Sequence, residues 1–197
     1  MRDASPAGAR YRVVAIAASA GGITAIRSVL AALPAPVLVP VLVVQHLARG
    51  PETSIARVFG RGVAHVVKLA EDGERARAGV VYVAPPDRHL TVEAGGILRL
   101  TGGAPVNFVR PAADPLFESL AEVYGADVLV CVLSGAGSDG AAGAAAVKAS
   151  GGAVWVEDPK TAGFRSMPES ALRACAVDEI LPAVEIGAAI GRLVSTG

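Results

Sequence analysis

Val13-Val14-Ala15-Ile16-Ala17-Ala18-Ser19-Ala20-Gly21-Gly22 is the stretch that decides how this chain reads. Residues 13–17 are an unbroken apolar run without alternation, the pattern of a strand buried on both faces. A tight turn with two glycines follows Ser19. Ile23, Ile26, Val29, Leu30 and Leu33 then recur at helical spacing until Pro34 and Pro36 close the segment. Strand, glycine turn, helix is the opening unit of an α/β domain.

The same alternation continues outward from it. Residues 37–45 form a second strand-like run that ends at His46, and a helix is expected to start at Pro51 with Ile55, Val58 and Phe59 on its apolar side. Residues 63–69 and 80–84 read as further strands. Residues 90–92 and 98–100 flank Gly95-Gly96 and predict a hairpin. Residues 101–110 read as a loop, and 111–124 as a helix with Leu116, Leu120 and Val123 on one side. Residues 128–133 are a strongly apolar strand, 134–140 a Gly-rich turn, and 141–149 an Ala-rich helix stopped at Gly151-Gly152. A strand at 153–156 and helices at 168–174 and 183–194 complete the pattern. The expected fold is α/β: a doubly wound, mostly parallel sheet with helices on both faces and a small β-hairpin insertion. Residues 1–11 are expected to be a flexible segment and 12–197 one domain.

Composition agrees with this frame. Of 197 residues, 52% are hydrophobic and only 4% aromatic, so the core must be built from Ala, Val, Leu and Ile. The formal charge is zero and the Arg residues are scattered, which argues against a nucleic-acid partner. Cys131 and Cys175 belong to no metal-spaced cluster, and Cys131 reads as a buried thiol. No signal core is visible near the start. The longest apolar stretch, 37–44, contains Pro40 and falls well short of the ~20 residues a spanning helix needs. The expectation is a cytoplasmic enzyme without membrane insertion.

Three polar residues each follow a buried strand: Ser19, His46 and Asp139. In an open parallel sheet the carboxyl ends of the strands share one edge, where ligands bind. The residue types suit nucleophilic catalysis. A serine hydroxyl needs a base, an imidazole can take its proton, and a carboxylate fixes the imidazole. Ser19 also precedes a helix start, where the backbone N–H groups of Ala20, Gly21 and Gly22 are expected to be free to hold an oxyanion. Each residue has a structural reading as well: Ser19 as an N-cap, His46 as a hydrogen-bonded anchor, Asp139 as a helix cap or Asx-turn. A phosphate loop is disfavoured, because the stretch is neither GxGxxG nor GxxxxGK[ST]. Arg110 is a candidate for binding a substrate carboxylate, or for packing at the helix start before Pro111. His89 reads as a loop anchor, His65 as a cap or solvent-facing residue, Ser134 and Ser138 as turn and cap groups, and Trp155 as core or edge packing.

At these residues the chain resembles the catalytic domain of CheB, the chemotaxis protein-glutamate methylesterase. The matching blocks run in order: 16–22, Val43-Val44-Gln45-His46, Ala70-Glu71-Asp72-Gly73, 81–90, Arg110-Pro111 with Asp114, 133–141, and Met167-Pro168. The resemblance implies an α/β domain whose serine, histidine and aspartate match Ser19, His46 and Asp139. It implies hydrolysis of glutamate methyl esters on the helical cytoplasmic region of chemoreceptors, and deamidation of particular glutamines by the same chemistry, with no metal or organic cofactor needed. Members commonly carry Thr at the position of Ala20, Met at that of Ala136, which is thought to shape the oxyanion hole, and His at that of Val109. Many also have an N-terminal receiver domain. This chain starts almost at its first strand, so a separate regulator or constitutive activity is expected. Two alternatives stand beside the methylesterase: a weakly active or non-catalytic module that binds a helical signalling partner, and an esterase for a different ester or a glutamine side chain.

Overall fold

A computed structural model describes residues 10–46 and 55–194. The expected helix start at Pro51 and most of the expected N-terminal segment lie outside the described residues. Seven strands form one parallel sheet: β1 (Val13–Ala18), β2 (Val41–Gln45), β3 (Val66–Leu69), β4 (Val80–Val83), β7 (Val128–Val132), β8 (Ala153–Glu157) and β9 (Glu179–Leu181). Their order is β3-β4-β2-β1-β7-β8-β9. The two remaining strands, β5 (His89–Glu93) and β6 (Ile97–Thr101), pair antiparallel as the expected hairpin about Gly95-Gly96.

The apolar runs are buried on both faces because helices cover both. Along β1, Val14, Ile16 and Ala18 point into one core with α1 (Gly22–Ala32), α2 (Ile55–Gly60) and α6 (Ala183–Val194). Val13, Ala15 and Ala17 point into the other, with α3 (Ala113–Tyr124), α4 (Ala141–Ala149), α5 (Ser166–Ala174) and the hairpin. This two-residue alternation across a pleated strand explains why the run could not afford a polar position. Among the described residues, no helix is long and apolar enough to cross a membrane.

Several boundaries shift for physical reasons. The second strand begins at Val41, because Pro40 has no N–H for the ladder; its carbonyl still accepts from Val14 N–H at 3.1 Å. Strand β9 escaped the sequence reading because it is a three-residue edge strand with Glu179 and Ile180 exposed. His65 does not face solvent. It is buried, and its Nε2 meets Leu33 O at 3.1 Å, just past the end of α1. His89 anchors its loop as expected, with Nε2 on Ala104 O at 3.0 Å and Nδ1 accepting from Ala112 N–H at 3.2 Å. Cys131 and Trp155 are buried in the sheet.

The strand order places β1 at the switch point. From β1 the chain winds one way to β2 and β4, and then returns to lay β7 on the other side of β1. A cleft at the carboxyl edge between such strands is where this architecture holds its ligands.

Candidate active site

Three neighbouring strands deliver the site. Ser19 follows β1, His46 follows β2, and the loop 134–140 follows β7. Ladder bonds persist to the last residue on both sides. His46 N–H donates to Ala18 O and Ser19 N–H to Ser134 O, each at 3.0 Å. The backbones of Ser19 and His46 are therefore held by the rigid sheet rather than by a free loop.

Ser19 does not cap α1. The N-cap is Gly21, at φ 74°, and no side chain caps the helix. That positive φ admits glycine and few other residues. Gly22, expected to be a free donor, instead gives its N–H to Ser19 O at 2.9 Å. Among the described residues, the N–H groups of Ala20, Gly21 and Ala136 have no protein partner. Ala136 is exposed in the loop after β7. That loop lies against the serine: a Cβ on Gly135 would sit 3.0 Å from Ser19 Cβ and closer still to the Met167 sulfur.

His46 and Asp139 meet directly, Nε2 to Oδ2 at 2.7 Å, with little of either side chain exposed. The carboxylate sits at the start of α3. Ala113 N–H donates to Oδ2 at 2.6 Å and Asp114 N–H to Oδ1 at 3.2 Å, so Asp139 caps a helix from outside it. Asn107 Nδ2 adds a fourth bond, to Oδ1 at 3.1 Å. Burial pushes the Asp139 carboxyl upward. The His46 bond, the Ala113 N–H, the His46 charge and Asn107 together outweigh burial and hold it below its ordinary value. Asp139 thus fills its structural reading as a helix cap and also meets the imidazole of His46. With Nε2 engaged by the carboxylate, Nδ1 is the ring nitrogen that does not meet Asp139.

The structure reveals partners that the sequence reading did not single out. Gln45, buried at the end of β2, donates from one Nε2 to Ser19 O at 2.8 Å and to His46 O at 2.9 Å. Asn107 also donates to Asp114 Oδ2 at 2.7 Å, and so ties two carboxyls together. Asp114 is pushed upward by burial, against the pull of the Gly143 N–H. Glu157, raised by burial, accepts Ser134 N–H at 2.8 Å. Ser134 Oγ in turn donates to Ala20 O at 2.8 Å and accepts from Phe164 N–H at 2.9 Å, as its expected turn role requires. Asn107 gave no signal beyond its place in a loop, and Gln45 only its place before His46.

Arg110 takes a structural position. Its Nε and Nη2 donate to Asp87 Oδ1 at 2.9 and 2.6 Å, and its Nη1 to the carbonyls of Gly102 and Gly103 at 2.9 and 2.5 Å. The guanidinium straps two loops together.

Comparison with known proteins decides the family. The CheB methylesterase family model matches residues 14–190. The chain belongs to the CheB methylesterase family. The crystal structure of the Thermotoga maritima CheB methylesterase catalytic domain matches with a TM-score of 0.89 at 35% identity, covering 93% of this chain and 99% of that one. A Leptospira interrogans relative is 38% identical over 183 residues, 93% of this chain and 95% of its own length. The Maricaulis maris protein-glutamate methylesterase/protein-glutamine glutaminase is 39% identical over 192 residues, and the chain spans 48% of it. The resemblance read from separate sequence blocks is therefore borne out at the level of family and fold.

Proposed function

We propose that this domain hydrolyses glutamate methyl esters on the helical cytoplasmic region of a chemoreceptor-like protein, with Ser19, His46 and Asp139 as its catalytic set. The observation that carries the proposal is the buried His46–Asp139 pair on the strand end next to Ser19. Similar proteins of comparable length bear the methylesterase name.

In this reading His46 Nδ1 takes the Ser19 proton as the hydroxyl attacks the ester carbonyl. The tetrahedral oxyanion lies toward the free N–H groups of Ala20, Gly21 and Ala136. The imidazolium, stabilised by Asp139, returns the proton to the leaving methanol. Water then repeats the cycle on the acyl-enzyme. The same steps applied to a glutamine side chain release ammonia, which accounts for the deamidase activity named in relatives. Backbone donors do the oxyanion's work in this scheme, so alanine at positions 20 and 136 does not remove it. The non-catalytic alternative is less favoured: a carboxylate buried on four donors and aimed at an imidazole is more than a docking surface needs.

Ser19→Ala is expected to abolish methanol release from a methylated receptor fragment, and a fluorophosphonate probe to label the wild type but not the variant. Wild-type turnover in Ser19→Ala would remove the serine from the mechanism.

A further inference from the structure

The loop that leads into α3 holds a side chain with no role in the fold. Val106 and Val109 pair through both backbone bonds, N–H to O at 3.1 and 3.0 Å, closing a two-residue turn around Asn107 and Phe108. Both central residues have positive φ, 51° and 64°, as in a type I′ turn. Asparagine tolerates that region; a bulky aromatic is strained there, and glycine is the usual occupant. The Phe108 ring is fully exposed, so it repays none of this by burial. An exposed ring on a strained turn costs the fold and suggests a purpose outside it.

The turn is also fixed in register with the catalytic groups. Asn107, next to Phe108, donates to Asp139 and Asp114. A second exposed aromatic, Phe164, is tied to the other end of the same loop: Gly135 N–H donates to Phe164 O at 2.9 Å, and Phe164 N–H to Ser134 Oγ. Its ring borders Gly21, beside the serine. Two exposed aromatics thus mark the beginning and the end of the loop 134–139 that flanks Ser19. Residues 102–109 carry no charge, so the partner surface they suit is apolar.

We infer that Phe108 is a specificity-determining residue, held up by its strained turn to seat on the apolar side of the helical segment that presents the glutamyl ester. The inference rests on the methylesterase reading and adds to it how the substrate is chosen. The ring buries against the partner in ground state and transition state alike, so it acts on KM rather than on kcat.

The test uses the wild-type chain with Phe108→Ala and Phe108→Gly. The probes are p-nitrophenyl acetate and an amphipathic helical peptide carrying one glutamate γ-methyl ester beside leucines, with a second peptide in which those leucines are serines. Phe108→Ala is expected to raise KM for the leucine peptide about tenfold. The kcat, p-nitrophenyl acetate hydrolysis and KM for the serine peptide should stay unchanged. Phe108→Gly should lose the same affinity yet melt about 2–4 °C above Phe108→Ala, because glycine accepts the positive φ. Equal KM values for wild type and Phe108→Ala on a leucine peptide that the wild type hydrolyses would overturn the inference. So would a variant that changes only the oligomeric mass, which would assign the ring to contact with a second copy. A folded wild type that binds the leucine peptide through Phe108, seen by fluorescence anisotropy, but releases no methanol would sink the methylesterase reading while keeping the docking role.

Discussion

Gln45 shows how much a single side chain settles at this site. Its Nε2 is shared between the carbonyls of Ser19 and His46, two residues on adjacent strand ends. Its Oε1 is buried without a partner. That oxygen also explains the glycine at position 22, where a Cβ would come within 2.4 Å of it. Gln45→Met keeps the volume and deletes both donors. Ser19 O retains the Gly22 N–H, and the partnerless Oε1 disappears, so stability should change by less than about 1 kcal/mol. The cost should fall on geometry: kcat for ester hydrolysis is expected to drop about ten- to a hundredfold, equivalent to ~1.4–2.7 kcal/mol of transition-state stabilisation. Unchanged kcat with unchanged melting would show that the sheet alone positions the pair. Little of this was legible in the sequence. The reading found Ser19, His46 and Asp139 because each is a reactive type at a strand end. A glutamine closing an apolar run, or an asparagine in a loop, has no periodicity that marks it.

Helix packing tells a similar story for elements. The sequence predicts a helix at 183–194 from its apolar spacing, and α6 occupies those residues. What the spacing does not say is how close α6 comes to α1. A Cβ on Gly187 would lie 2.1 Å from Val29 O, and one on Gly191 2.4 Å from Pro34 Cδ. The two glycines, one turn apart on α6, let it rest on the backbone at the end of α1. Gly187→Ala should wedge the helices apart and destabilise the fold by about 1–3 kcal/mol, visible as a Tm lowered by roughly 2–4 °C per kcal/mol. The folded fraction should keep its kcat, because Ser19, His46 and Asp139 are held by β1, β2 and the start of α3. An unchanged Tm would mean that α6 can shift without cost. Strand β9 was invisible for a related reason: as a short, exposed edge it carries no burial pattern, and its place is set by pairing with β8.

Across the whole molecule, buried carboxyls give stability a pH dependence of mixed sign. Asp139 is held below its ordinary value, so its contribution is complete above the unfolded carboxylate pKa of about 4 and is lost as pH falls through the lowered folded value. Asp114 and Glu157 are raised by burial and act the other way: they favour the fold while protonated and lose that advantage as pH rises through their raised values. Comparing Asp139→Asn with wild type isolates the first effect. The Tm difference should be largest near pH 7 and shrink below about pH 4; a difference constant from pH 7 to pH 3 would show that the Asp139 charge does not support the fold. The sequence by itself determined the α/β alternation, the burial of the central strands β1, β2, β7 and β8 on both faces and the candidate set of three polar residues beyond strand ends, because those follow from local periodicity and from the shared direction of parallel strands. Only the tertiary structure decided that β1 sits at the switch point, that Asp139 caps α3 while holding His46 Nε2, that Gly21 rather than Ser19 opens α1, and that Arg110 straps loops together. These depend on contacts between residues far apart in the chain, and no local pattern encodes which distant donor reaches a given carboxylate or carbonyl.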